Sequence, residues 1–260
     1  MAISANSVFH FTDSLDDLIS ILENEFCPRY SLEEFLYPEV KLAIPMVCFC
    51  DIPLSQTKNH INTYGPYGLG MSKNWAKEKG LNPVLYLRDD SILHKNLASI
   101  FRSTTQDLAK DALSKLLEDR IKNPTEEPAW TTSLNILRYV KLYKGALFKA
   151  QLKENIPFYE EREWRYVPNF ITRSSEIQPS PFLTEIDFQD KQKKEKEEKI
   201  LENYKLSFNP DNIKYVIIKN EDEIHKIIKN IRVVKGKYPP EIVDILCSKI
   251  ITSENIEKDF

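Results

Sequence analysis

Short apolar runs alternate with polar turns along this chain, and the period of each run predicts an element. Residues 8–11 (VFHF) read as a first strand. Leu15, Leu18, Ile19 and Leu22 then recur at the spacing of one helical face, behind Thr12 or Asp13 as cap. Residues 24–30 read as a loop, 32–40 as a segment that either element could fill but that leans to helix, and 46–49 as a buried strand. Ser55 can cap a short helix running to residue 63. Strands follow at 67–71 and 83–87, on either side of a short helix over 74–79 that Gly80 stops.

The period then lengthens. Leu93, Leu97, Ile100 and Phe101, followed by Leu108, Ala112, Leu113, Leu116 and Leu117, repeat at helical spacing from residue 91 to about 122. Asn123-Pro124 breaks this helix, and a second spans 129–143, so residues 91–143 read as a helical insertion. Strand patterns return in ALFKAQL (146–152) and REWRYVPNF (162–170), then at 206–208 and 215–218. Between them, residues 187–203 carry charges of alternating sign and read as a charged surface helix or loop. Helices close the chain at 221–231 and 240–250. Strands and helices mix without regular alternation, which predicts a single α+β domain over 1–260 with a mixed or antiparallel sheet core, rather than a doubly wound α/β fold.

Composition narrows the class. With 260 residues, 42% hydrophobic and 29% charged, the chain can bury a sizeable core and reads as soluble and globular. A net charge of -3 makes nucleic acid an unlikely general partner, although a local basic patch would not show in that sum. No apolar run is long enough to span a bilayer, and the first residues lack the basic and apolar regions of a secretory signal. Four irregularly spaced cysteines do not form a disulfide framework, so a cytoplasmic protein with reduced thiols is expected.

Candidate chemistry concentrates between residues 44 and 70, which hold two of the four cysteines, one of the four histidines and three of the six glycines. Cys48 and Cys50 share a strand face; a zinc site would need two more ligands at suitable spacing, so they read as small core residues. Asp51 to Ser55 can wall a pocket, and His60, beside Asn59 and Asn62, either faces that pocket or caps its helix. Tyr64 and Tyr67 flank Gly65-Pro66, where a ring can stack on a flat heterocycle or simply plug the core. On the first strand, alternation sets His10 and Thr12 on the face opposite Phe9 and Phe11, toward a cleft or solvent. Near residue 160, Glu161, Glu163 and Arg165 share a face, either as a site carboxylate beside an arginine or as a solvated charge pair. Glu163, between Arg162 and Trp164, is the first choice for a catalytic carboxylate. His94 and His225 lie on amphipathic helices and read as surface residues.

The strings VFHFT, PMVCFCDIPLS, the spaced His60, YGPYGLG with Lys73 to Ala76 following, NPVLY and EREWRYVP together resemble the AbiGi family. That is a bacterial abortive-infection family of phage resistance, described as the antitoxin half of a two-gene system, and the resemblance implies a partner toxin or protein target. The order of a strand-borne histidine, a tyrosine after a second strand and a late-strand glutamate also resembles ADP-ribosyltransferases. That second resemblance implies an ADP-ribosyltransferase-like fold and NAD as cofactor. His10 would hold the adenosine-side ribose, Tyr67 or Tyr64 would stack on nicotinamide, and Glu163 would bind the nicotinamide ribose hydroxyl. Thr12, Asp51, Ser55 and His60 would complete the NAD pocket. The activity implied is ADP-ribosyl transfer or NAD hydrolysis; the alternative is a non-enzymatic antitoxin or sensor that binds a toxin. A regulator that binds operator DNA finds no recognition-helix motif here.

Overall fold

A computed structural model describes residues 5–36, 40–105, 129–148, 152–169 and 178–259. Strand β1 (Ser7–Thr12) leads into helix α1 (Leu15–Asn24), whose Leu15, Leu18 and Leu22 are buried as the helical spacing requires. The cap is Ser14 rather than Thr12 or Asp13: its side chain accepts the Asp17 N–H at 3.1 Å. Of the stretch 32–40, the described residues 32–36 and 40 are strand rather than helix. Strand β2 (Arg29–Leu36) pairs antiparallel with β3 (Val40–Cys50), in one register from Arg29↔Met46 to Glu34↔Lys41 and with a shift before Leu36↔Val40. An eleven-residue partner strand offers a long backbone ladder, and that pairing outweighs the weak local preference for helix.

After a single turn at Leu54–Gln56, helix α2 (Lys58–Tyr64) carries His60, so the helical part begins later than Ser55. Strand β4 (Tyr67–Ser72), helix α3 (Lys73–Glu78), and the short strands β5 (Asn82–Pro83) and β6 (Leu85–Leu87) follow. Of the predicted insertion, helices α4 (Ile92–Thr105) and α5 (Ala129–Leu137) are described, and residues 106–128, with the Asn123-Pro124 break, lie outside the described residues. The second helix ends six residues early, because residues 140–142 form strand β7 (Val140–Leu142), parallel to β6. His94 on α4 is buried, not a surface residue; His225 is exposed.

Strands β8 (Gly145–Phe148), β9 (Leu152–Ile156), β10 (Glu163–Tyr166) and β11 (Leu183–Thr184) precede helices α6 (Glu185–Gln189) and α7 (Lys191–Leu201). The charged run is therefore a helix. It is anchored by fully buried Leu201, by Glu197 accepting the Ser180 N–H, and by Glu198 near Arg29. Residues 206–208 contribute an isolated bridge, Phe26↔Leu206, rather than a strand. Strand β12 (Ile213–Ile218), helices α8 (Ile224–Val234) and α9 (Pro240–Cys247), strand β13 (Ile250–Thr252) and helix α10 (Ser253–Asp259) complete the chain. The helix predicted to reach residue 250 stops at Cys247, because residues 250–252 add a parallel strand to β12.

The result is an α+β fold around a mostly antiparallel sheet in the order β13-β12-β4-β1-β3-β10-β5, with β2 and β11 also on β3. One face packs on α1, α3, α8 and α9 through Leu18, Leu22, Trp75, Ile227, Ile231 and Leu246. Phe9, Ile61, Ile217 and Ile256 form a smaller cluster that includes α2 and α10. Strand β1 pairs with β4 along its whole length but shares only one register pair, Phe9↔Cys50, with β3. That parting of two central strands positions the site. Among the described residues no helix is long and apolar enough to cross a membrane.

Candidate functional site

Where β1 leaves β3, a side chain takes over from the ladder. The His10 ring nitrogen Nδ1 lies 2.8 Å from the Cys48 carbonyl, an acceptor only, so Nδ1 carries the proton and Nε2 is left as an acceptor in the neutral ring. The ring packs against Phe26 and Phe49 at centroid distances of 5.2 and 5.5 Å. Burial pulls its pKa below the ordinary value, against the opposing effect of the Cys48 bond, and so keeps the imidazole neutral at pH 7.

Beside it opens a cleft of about 400 Å³, within the range of small-molecule pockets. His10, Cys48 and Cys50 line it from the sheet, His60 and Tyr64 from α2, Glu33 from β2, Lys141 from β7, and Glu161 and Glu163 from the approach to β10. Of the predicted site residues, His10, His60, Tyr64 and Glu163 are thus brought together. Tyr67 is not: its ring packs in the main core and its hydroxyl donates to Glu223 at 2.8 Å, which with burial pushes its pKa up to about 12. The choice between the two tyrosines falls on Tyr64. Thr12, Asp51 and Ser55 are also absent from the cleft lining. Thr12 pairs with Tyr67, Asp51 forms an ion pair with Lys73 at 2.7 Å, and Ser55 is exposed on its turn.

Glu163 is not on an open, solvated face. It is 4% exposed, and its partners are Arg165 and Lys141 rather than the neighbouring Arg162. Arg165 Nε donates to Oε1, and Lys141 Nζ lies 2.7 Å from Oε2. The same lysine reaches Glu161 at 2.7 Å, and Arg165 reaches Glu33 at 2.7 Å. Burial pushes the Glu163 carboxyl up, but Arg165 and Lys141 outweigh it and hold the group well below the ordinary carboxylate range. Burial pulls Lys141 down, and Glu163, Glu33 and Glu161 more than reverse this. Three carboxylates thus surround two cations. Tyr64 closes the chain by donating its hydroxyl to Glu161 at 2.5 Å, and its own pKa is raised by burial and by that carboxylate.

The two thiols are poor nucleophiles. Burial raises the pKa of both Cys48 and Cys50, so both stay protonated. His60, 8% exposed, has a buried Nε2 with no hydrogen-bond partner, and burial lowers its pKa. A buried polar atom on a cleft wall without a partner is an acceptor or donor available to a ligand.

Lys141 and Glu33 line the cleft, although sequence reasoning gave them no part in it. Lys141 falls in a stretch read as helix and Glu33 in one that either element could fill, and the period of the surrounding residues carries no sign that they face a common cavity. Glu161 and Arg165 were visible as face-mates of Glu163, although Glu161 reaches the site from the turn at Phe158–Glu161, before the strand begins.

Comparison with known proteins adds a family. A family profile described as "Putative abortive phage resistance protein AbiGi, antitoxin" matches residues 24–219. A relative from Lactococcus lactis subsp. cremoris, named "Abortive phage resistance protein AbiGi", is 31% identical over 269 residues, covering 90% of this chain and 99% of the relative. No solved structure matches the chain.

Proposed function

Since the chain belongs to the AbiGi family of abortive phage resistance proteins, we propose that it serves phage defence through its central cleft, as an ADP-ribosyltransferase-like pocket for NAD. The supporting observation is the meeting of His10, Tyr64 and Glu163 in one cavity, from three separate parts of the chain. The His10 Nε2 lone pair suits a ribose hydroxyl donor. Tyr64 and His60, with ring centroids 5.7 Å apart, offer aromatic surface to a flat ring. The excess of carboxylate over ammonium favours a cationic pyridinium and the positive charge that develops at the anomeric carbon when it leaves.

NAD supplies the bond that breaks. Nicotinamide departs with the electron pair of the C–N bond, and the acceptor, a macromolecular nucleophile or water, bonds to the anomeric carbon and loses a proton. Glu163 would hold the ribose hydroxyl and stabilise the developing charge. A bound ligand must raise the melting temperature, and at a hundredfold excess over Kd the gain is about 2.7 kcal/mol. We expect NAD or ADP-ribose to raise it by several degrees, His10→Ala to abolish the rise, and Glu163→Gln to bind without releasing nicotinamide. No rise at millimolar NAD overturns the reading.

One observation favours a second reading, a non-enzymatic antitoxin with a toxin partner. Both Glu163 oxygens are already engaged by Arg165 and Lys141, as a purely structural carboxylate would be. This reading predicts no nicotinamide release and a stable complex with a toxin encoded alongside.

A further inference from the structure

A second cavity lies behind the aromatic wall that backs the cleft. The wall runs from His10 through Phe26 and Phe49 to Trp75 and Phe208, with neighbouring centroids between 5.1 and 6.0 Å apart. Beyond it, a space of about 580 Å³ is bounded by the ends of α1, α3 and α8 and by the segment before β12. Its wall includes Lys235, just past the end of α8, which is 5% exposed.

The buried cations of this fold are held in different ways: Arg138 donates to the Asn135 side chain and the Pro181 carbonyl. Lys141 and Arg165 each hold carboxylates. Among the described residues, no carboxylate ion-pairs with the Lys235 ammonium, whose near neighbour is the Phe208 ring at 5.0 Å. The carbonyl end of α8 and the face of Phe208 offset part of the cost of burying it. Neither supplies a counter-charge, and while the stem is buried the ammonium keeps contact with the solvent of the cavity. Burial and the adjacent Lys237 pull its pKa below the ordinary lysine value, although Glu25 opposes them. Lys79, Lys205 and Lys237 line the same space, and Lys79 Nζ already donates to the Ser207 hydroxyl at 2.9 Å. Glu23, Glu25 and Glu78 also line it, so four ammonium groups face three carboxylates.

We propose that this cavity is a second ligand site, for a small oxyanion of the phosphate class, with Lys235 as its buried anchor. An anion entering from the open side would meet Lys235 at the back and Lys205 and Lys237 at the mouth, and would cancel the unpaired charge. The proposal does not depend on NAD binding in the cleft.

The test is isothermal titration of the full chain with inorganic phosphate and with pyrophosphate at fixed ionic strength. We expect saturable binding, tighter for pyrophosphate because it carries more charge. Lys235→Met should weaken it about tenfold, the scale of one charge-assisted contact, and Lys235→Arg should largely retain it. Lys237→Ala, at an exposed position, gives a weaker loss and carries the test if Lys235→Met fails to fold. Three results overturn the proposal: no saturable heat up to about 10 mM ligand; equal affinity in the Lys235 and Lys237 variants, meaning an adventitious ion only; or loss in His10→Ala, which would move the binding to the cleft. Tighter binding of a short oligonucleotide than of pyrophosphate would also overturn it, in favour of a phosphodiester backbone.

Discussion

Lys141 sits where the energetics of the cleft converge. Its ammonium is within 2.7 Å of both Glu161 and Glu163, and all three groups are largely withdrawn from water. Removing one partner of a buried ion pair leaves the other charge uncompensated, at a cost of about 3–5 kcal/mol. Lys141→Met should therefore lower the urea midpoint strongly, even though Arg165 still holds Glu163. The exposed pair Arg232–Asp244, at 3.4 Å with both side chains 64% exposed, provides the contrast. Asp244→Ala should cost less than about 1 kcal/mol, because solvent already screens that pair. Equal losses in the two variants would show that the cleft charges are solvated and that the network is not a buried one. At this scale the sequence singled out Glu163, His10, His60 and Tyr64 as candidates, and all four line the cleft, since a polar group inside an apolar or glycine-bracketed run stands out. It did not identify Lys141 or Glu33, which look like ordinary charged residues until distant strands bring them together.

Among the elements, the turn from α2 into β4 places Tyr64 in the cleft and Tyr67 in the core. Gly65 makes that turn at φ 110°, and a Cβ added there would lie 2.2 Å from the Thr12 carbonyl oxygen, which is backbone and cannot swing away. Gly65→Ala thus combines an unfavourable backbone conformation with a clash against β1, and should destabilise by about 2–3 kcal/mol. It should also displace Tyr64, so the rise in melting temperature that the proposed function expects of NAD should shrink with it; a variant with wild-type stability would show that the turn has another conformation. Helix α1 and strand β4 were legible from period and breakers alone. The pairing of β2 with β3 was not, because residues 32–40 have no clean period and residues 32–36 owe their strand form to a partner. Strands β7 and β13, three residues each, are too short to carry a period, and each is specified by a parallel neighbour, β6 or β12.

For the molecule as a whole, the buried titratable groups set how stability responds to pH. His10 and His60 both have pKa values lowered by burial from 6.5. Below that value the unfolded chain takes up protons that the folded chain refuses, so stability falls as pH drops from 7. Glu163 adds a later loss: its depressed pKa stabilises the fold above the ordinary value of 4.5, and that contribution disappears as pH falls through the folded value. Lys141 acts at the other end, where its raised pKa stabilises the fold at neutral pH and is lost only as pH rises beyond the folded value. Urea midpoints should decline from neutral toward pH 5 and more steeply below about 4; a flat profile between 7 and 5 would mean that the two histidines take up protons as readily in the fold as in the unfolded chain. By itself the sequence determined an α+β chain with its main helices, the buried strand at 46–49, the family, and four of the residues that line the cleft. These follow from local period, punctuation and composition, which are properties of neighbouring residues. Only the tertiary structure decided that β1 and β3 part at Cys48, that Tyr64 and not Tyr67 faces the opening, that Glu163 is clamped by Lys141 and Arg165, and that Lys235 is buried with no carboxylate in ion-pair contact among the described residues. Those depend on contacts between segments far apart in the chain, where burial and long-range pairing, not local preference, set the free energy.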